Sequence, residues 1–200
     1  MVSLELAWLP LVTFAISTSI TPGPNNIMLT ASGANFGFIR SVPHMLGISL
    51  GFLVMYLCVA FGLGSFFLLY PELQDWLRYV GSAYLIFLAW KIARGGRIES
   101  GAKKARPMTM MQAVLFQFVN VKAVMMAVGC VSVFTLPGEQ YTLSAIVVGV
   151  VFSLVNLPCV SVWAGFGTAI RRFLKNETSL RVFNGFLALL TAGSVVLFYY

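Results

Sequence analysis

Two short polar runs interrupt long apolar stretches of this chain, and both are built from residues that release or capture backbone hydrogen bonds. The first is Thr21-Pro22-Gly23-Pro24-Asn25-Asn26. Its two prolines remove two backbone donors and clash with the preceding turn, so a helix entering this run must break or kink. The carbonyls set free need partners, and the amides that open the next helix after Pro24 form a seat for a carboxylate, with Asn25 and Asn26 adding side-chain donors and acceptors. The plainer alternative is a proline kink satisfied by neighbouring helices.

The second run is Gln117-Phe118-Val119-Asn120-Val121-Lys122-Ala123. Lys122 lies about a dozen residues into an apolar stretch, where in hydrocarbon a charged side chain costs at least about 2.5 kcal/mol. Such a residue either faces a polar cavity, with Gln117 and Asn120 beside it, or snorkels its ammonium out to the interface. Asn156-Leu157-Pro158 is a further polar kink, which lines a path or makes an interhelical hydrogen bond. His44, after Pro43 at the edge of an apolar stretch, reads as structural or interfacial. Gly47 and Gly51 have the G-x-x-x-G spacing of close helix packing.

Of the 200 residues, 59% are hydrophobic and only 10% charged, with a mean hydropathy of +0.89. That composition cannot cover a soluble globule, so the chain is read as one membrane domain over residues 1–200. Apolar stretches run from about Leu6 to Ser32, His44 to Tyr70, Leu77 to Ile92, Met110 to Leu136, Tyr141 to Ile170 and Leu180 to Tyr200. The expected fold is all-α, with about six transmembrane helices. A basic, glycine-containing linker, 95–107, separates halves of about 1–94 and 108–200. Since each half has an odd number of spans, the halves enter the membrane in opposite directions, as in transporters built of inverted repeats, and the two polar runs fall at matching places.

The basic residues set the orientation. With the N-terminus outside, eleven of the thirteen Lys and Arg residues fall in inside segments, while Glu5, Glu72, Asp75 and Glu139 fall outside with only Arg78. Both termini are then external. The net charge of +7 is accounted for by this topology and by anionic lipid, leaving no need for nucleic acid as a partner. Trp8, Trp76, Tyr79, Tyr199 and Tyr200 sit near span ends, where amphipathic rings are favoured. No basic region precedes the first apolar run, so it is expected to stay as a span rather than act as a cleaved leader. Cys58, Cys130 and Cys159 show no C-x-x-C spacing and read as buried packing residues.

Several function classes lose their footing here. No Asp or Glu lies deep in a span and the single histidine is at an edge, so neither intramembrane acid–base catalysis nor a metal or other cofactor has a constellation to use. No nucleotide-binding motif is present. Transport driven by an ion or substrate gradient remains, with a channel-like protein as an alternative.

Thr21 to Asn25 (T-P-G-P-N), Tyr84 to Lys91 (Y-L-I-F-L-A-W-K) and Phe116 to Lys122 (F-Q-F-V-N-V-K) together resemble the LysE/RhtB family of amino-acid exporters. The resemblance spans nearly the whole chain. Many members have proline where this chain has Val121. Asn25-Asn26, Gly47 to Leu53, Leu88 to Ala93 and Gln117 to Lys122 are most similar to the branch of cysteine and O-acetylserine exporters. The resemblance implies a multi-pass protein of the bacterial inner membrane, not an enzyme, coupled to the proton gradient and exporting by antiport. A thiol-redox carrier of the wider superfamily is an alternative, but it needs paired cysteines on facing first and fourth spans, and the first span has none.

The expected substrate site comprises Thr21, Pro22, Gly23, Pro24, Asn25, Asn26, Gln117, Asn120, Lys122 and Asn156. A cationic amino acid would want a buried carboxylate, which no span offers, whereas a small neutral one needs only a cationic or dipolar seat and carbonyls for its ammonium. Its partners are then that small molecule and membrane lipid, with a homodimer allowed. The topology is testable: a reporter fused after Tyr200 is expected to be active outside the cytoplasm and one inserted between Gly95 and Lys103 inside it. Two reporters active on the same side would rule out the six-span arrangement.

Overall fold

The computed structural model describes residues 6–63, 71–94, 106–174, 176–196 and 199. The expected linker lies largely outside these residues. Helix α1 (Trp8–Ile20) ends as Thr21 turns extended (φ −62°, ψ 138°), the conformation forced on a residue before proline. Helix α2 (Pro24–Phe36) starts with proline at its first position, where the missing N–H costs nothing. The expected first span is therefore two helices of 13 residues, each about 20 Å long. Gly37, at φ 85°, closes α2 and donates its N–H to Gly33, a turn that favours a residue without Cβ.

Helix α3 (Phe38–Cys58) begins six residues earlier than hydropathy alone suggests, and it passes into a wider turn over Val59–Leu63 that leaves helical geometry at Phe61 (φ −101°, ψ 18°) and Gly62 (φ 148°, ψ −33°). Helix α4 (Pro71–Ala93) likewise starts upstream of its apolar core, with proline first and Glu72 in its opening turn. Helix α5 (Met110–Val119) opens on a reciprocal capping box between Thr109 and Gln112. It breaks at Asn120, and α6 (Val121–Phe134) leaves at an angle of 70°. Helix α7 (Tyr141–Ile170) and helix α8 (Glu177–Gly193), the latter capped by Asn176, complete the chain. The order in each half is thus a broken pair, a long helix and a third helix.

Among the described residues, two helical stretches are long and apolar enough to cross a membrane, Phe38–Gly62 and Gly138–Ile170. The bent pair α5 and α6 makes a third when taken as one span. Large apolar side chains such as Leu9, Ile39, Val133 and Leu189 stand outward on different helices, and Phe173 in the turn after α7, each at least 70% exposed. That surface suits a lipid solvent and is far more than a soluble monomer leaves bare.

The interior is organised around α2. Its residues from Asn26 to Ala34 are all buried although they include Asn26, Thr30, Ser32 and Gly33. Its most extensive neighbour is α7, while α3 packs on α5 and α7, and α4 packs on α8. Asn35 of α2 and Asn184 of α8 exchange amide hydrogen bonds of 2.7 and 2.9 Å. One apolar cluster joins α1, α3, α6 and α7 through Leu11, Phe52, Tyr56, Cys130 and Phe152; a second joins α2, α3, α4, α5 and α7 through Leu29, Ile48, Leu85, Phe116 and Val160. Cys130 and Cys159 are buried and unpaired, as packing residues would be. Cys58 departs from that expectation, lying exposed on the outer side of α3.

Two glycine contacts set how closely the helices approach. A Cβ on Gly33 would collide with the backbone of Ala164, and one on Gly167 with the backbone carbonyl of Thr30, so α2 and α7 touch main chain to main chain. Gly47 and Gly51 do the same for α3 against Met110 and Val114 of α5. Gly167→Ala is therefore expected to cost about 1–3 kcal/mol through overpacking. Gly165→Ala, which meets nothing within 4 Å, is expected to be nearly neutral. Thermal unfolding of the two purified variants in detergent checks this, and equal midpoints would contradict the close α2–α7 approach.

Candidate functional site

The site grows from the carbonyls that the first break sets free. Thr21 Oγ1 folds back to donate to the carbonyls of Ser17 (2.8 Å) and Thr18 (2.9 Å). Asn26, the third residue of α2, reaches back with Nδ2 to the carbonyls of Ser19 (3.0 Å) and Thr21 (2.7 Å). Trp163 of α7 donates its indole N–H to Ile20 O at 3.2 Å. Gly23 O accepts from the Ile27 amide at 3.0 Å. The remaining donor is Lys122, whose Nζ lies 2.7 Å from Thr21 O, 3.3 Å from Thr21 Oγ1 and 3.4 Å from Pro22 O. A cation on the carboxyl end of a helix is the favourable sign for the helix dipole.

Lys122 reaches Thr21 across Gly23. A Cβ at position 23 would sit 2.9 Å from Lys122 Cδ and 3.2 Å from Nζ, so the absence of a side chain there makes room for the lysine stem. Lys122 is the second residue of α6, and Asn25, the second residue of α2, crosses in the opposite sense. Its Nδ2 donates to Gln117 Oε1 of α5 at 2.9 Å, and Gln117 Nε2 returns to Asn25 Oδ1 at 3.4 Å while also holding Ala113 O at 2.8 Å. Each second half-helix thus extends a polar side chain to the half-helix before the other break.

Between these crossings lies a cavity of about 30 Å³, bounded by residues of both apolar clusters. Eight of the ten residues expected from sequence line it: Gly23, Pro24, Asn25, Asn26, Gln117, Asn120, Lys122 and Asn156. Thr21 and Pro22 do not line it but hold Lys122 through their carbonyls. Asn156 is buried and fully engaged, donating to Ser19 Oγ and accepting from Ser49 Oγ, both at 2.9 Å. Asn120 differs. Only 2% exposed, it makes no side-chain cap to α6, and its Oδ1 has no hydrogen-bond partner. The amino ends of α2 and α6 both border the cavity without a side-chain cap, which gives it a partial positive character beside the Lys122 ammonium.

Sequence reasoning missed Ser19, Ser49 and Trp163. Ser19 and Ser49 are small polar residues within apolar runs, a signal too common to single them out. Trp163 stands two helical turns beyond Asn156, on the same face of α7, and only the fold brings that face to the end of α1. His44, expected at a span edge in a structural or interfacial role, lies within α3, which starts six residues before it. It is 1% exposed inside α3, both ring nitrogens lack partners, and it borders a separate, mostly apolar cavity of about 190 Å³ with Lys91, Arg94 and Arg106. The smaller cavity is the candidate site because both helix breaks and the uncapped amino ends of α2 and α6 meet there, whereas the larger one, although it borders Asn35, His44, Lys91, Arg94 and Arg106, touches neither break.

Comparison with known proteins adds three findings. The family described as LysE type translocator matches residues 16–200. Proteins named cysteine/O-acetylserine efflux protein from Escherichia coli (strain K12) and Shigella sonnei (strain Ss046) are each 34% identical over 189 residues, covering 94% of this chain and 95% of theirs. No solved structure matches.

Proposed function

Taking as premise that this chain belongs to the LysE type translocator family, a family of integral membrane transporters, we propose that it exports small neutral amino acids or their derivatives, of the cysteine and O-acetylserine kind. The bacterial inner membrane is the site of action, crossed by six spans in two oppositely inserted halves with both termini outside, and the proton gradient drives export by antiport. The observation that carries the reading is the crossing of Lys122 to Thr21 and of Asn25 to Gln117, which gathers two broken helices around one polar cavity. Broken helices whose ends surround a small solute are the way membrane transporters build sites in a solvent that tolerates no free backbone groups.

The chemistry favours a zwitterion with a small side chain. Its carboxylate is attracted by the amino ends of α2 and α6 and competes with the carbonyls of Thr21 and Pro22 for the Lys122 ammonium. Lysine and arginine are disfavoured because no carboxylate lines the cavity. A volume of about 30 Å³ holds little more than a water molecule, so this is a closed state, and the substrate enters when the halves part. Parting breaks the two crossings and remakes them around the substrate, which couples occupancy to the movement.

The experiment is export from cells overproducing the chain, with a panel of cysteine, O-acetylserine, serine, lysine and arginine, with and without a protonophore. Saturable export of the neutral compounds that collapses with the protonophore is the expected result. Replacing both Pro22 and Pro24 with alanine restores two backbone donors and straightens the break, so export is expected to fall at least about tenfold while membrane abundance is kept. Export of none of the panel, or full export by the double variant, would overturn the reading.

A further inference from the structure

The two breaks are not equivalent, and the difference points to the substrate's amino group. At the first break a basic side chain, Lys122, sits on the carbonyl end of α1. At the second, the group that crosses over is the neutral amide of Asn25, which is taken up by the side chain of Gln117. The carbonyl end of α5 therefore receives no cation from the other half among the described residues. At that same end stands Asn120, 2% exposed, with a buried Oδ1 that no donor reaches.

An unpartnered buried amide oxygen is costly, and nearly all such groups in folded proteins find a donor in the protein, in water or in a ligand. The other amide side chains lining the cavity are engaged: Asn25 with Gln117, Asn26 with Ser19 and Thr21, and Asn156 with Ser19 and Ser49. What the cavity lacks on this side is a donor, and beside a helix carboxyl end the favoured donor carries positive charge. We propose that Asn120 Oδ1, with the carbonyl end of α5, is the subsite for the primary ammonium of the exported amino acid. The α1 end is already occupied by Lys122. This rests on the export reading above and makes it narrower, since the substrate must then carry a free amine and an N-acylated relative is refused.

The amide side chain of Asn120 does not hold the break together, because it caps no helix and accepts no hydrogen bond from the protein. Asn120→Leu, of similar size, is thus expected to reach the membrane at normal abundance.

The test uses the full chain reconstituted in liposomes, with uptake of labelled cysteine competed by unlabelled cysteine, serine, N-acetylcysteine and N-acetylserine. For the natural protein, acetylation of the amine is expected to weaken competition by about tenfold or more, the loss of one hydrogen bond to a charged group. Asn120→Leu is expected to raise the half-saturating concentration of cysteine by a similar factor and to abolish the distinction between free and acetylated amines. Equal competition by N-acetylcysteine and cysteine in the natural protein would overturn the subsite while leaving the export reading standing. So would an undiminished preference for the free amine in Asn120→Leu. Failure to take up cysteine or serine at all would overturn the export reading, and the subsite with it. Because the competition in the natural protein needs no variant, the outcome does not depend on how Asn120→Leu folds.

Discussion

The rest of this structure depends on satisfying the carbonyls released between Ser19 and Gly23. In a chain whose solvent is largely lipid, water is not at hand to receive them, and each one left bare costs several kcal/mol. Their donors come from distant places: Asn26 from the start of α2, Trp163 from α7 and Lys122 from the start of α6. That requirement draws the second half of the chain onto the first. It also explains why α2 is buried among its neighbours although it is the most polar helix of the core, and why α2 and α7 touch through Gly33 and Gly167. Trp163 lies only four residues from the Gly167 contact, about one helical turn, so a side chain at that glycine would displace the donor to Ile20 as well.

Local polarity and function are tied by the same arrangement. A cation needed to close one helix end is also the group best suited to attract a carboxylate, and two uncapped amino ends border the same small cavity. Because the amide side chains that line the cavity are engaged within the protein, with the Asn120 oxygen as the exception, a solute enters there only by exchanging partners with the protein. Exchange of that kind is a differential interaction with open and closed states, the condition for a ligand to shift one towards the other.

Much of this was legible in the sequence where local backbone chemistry decides the outcome. Two prolines at positions 22 and 24 must interrupt a helix, and Lys122 within an apolar stretch must find polar company. The second break was legible only as a polar insertion; it forms at Asn120 without a proline, since an asparagine followed by a β-branched residue gives up helical geometry easily. Helix limits were less legible. Hydropathy marks the apolar middle of α3 and α8, whereas their true starts at Phe38 and Glu177 are set by Gly37 and by the Asn176 cap. The partners of the site were not legible at all. Ser49, Trp163 and the full burial of His44 depend on which faces of α3 and α7 the fold turns inward, and neither helix has a strong polar face to announce it.

The account stands most directly on the Lys122 ammonium at the end of α1. Replacing it with methionine keeps much of the stem and removes the charge, and Asn26 still serves Thr21 O, so the chain is expected to insert and fold. Efflux of the exported amino acid, measured beside membrane abundance for each variant, is expected to fall about ten- to a hundred-fold in Lys122→Met with abundance kept. Lys122→Arg is expected to recover part of it, since the charge returns in a bulkier and differently directed form. Efflux by Lys122→Met that is unchanged, or that falls only in step with abundance, would contradict the central claim.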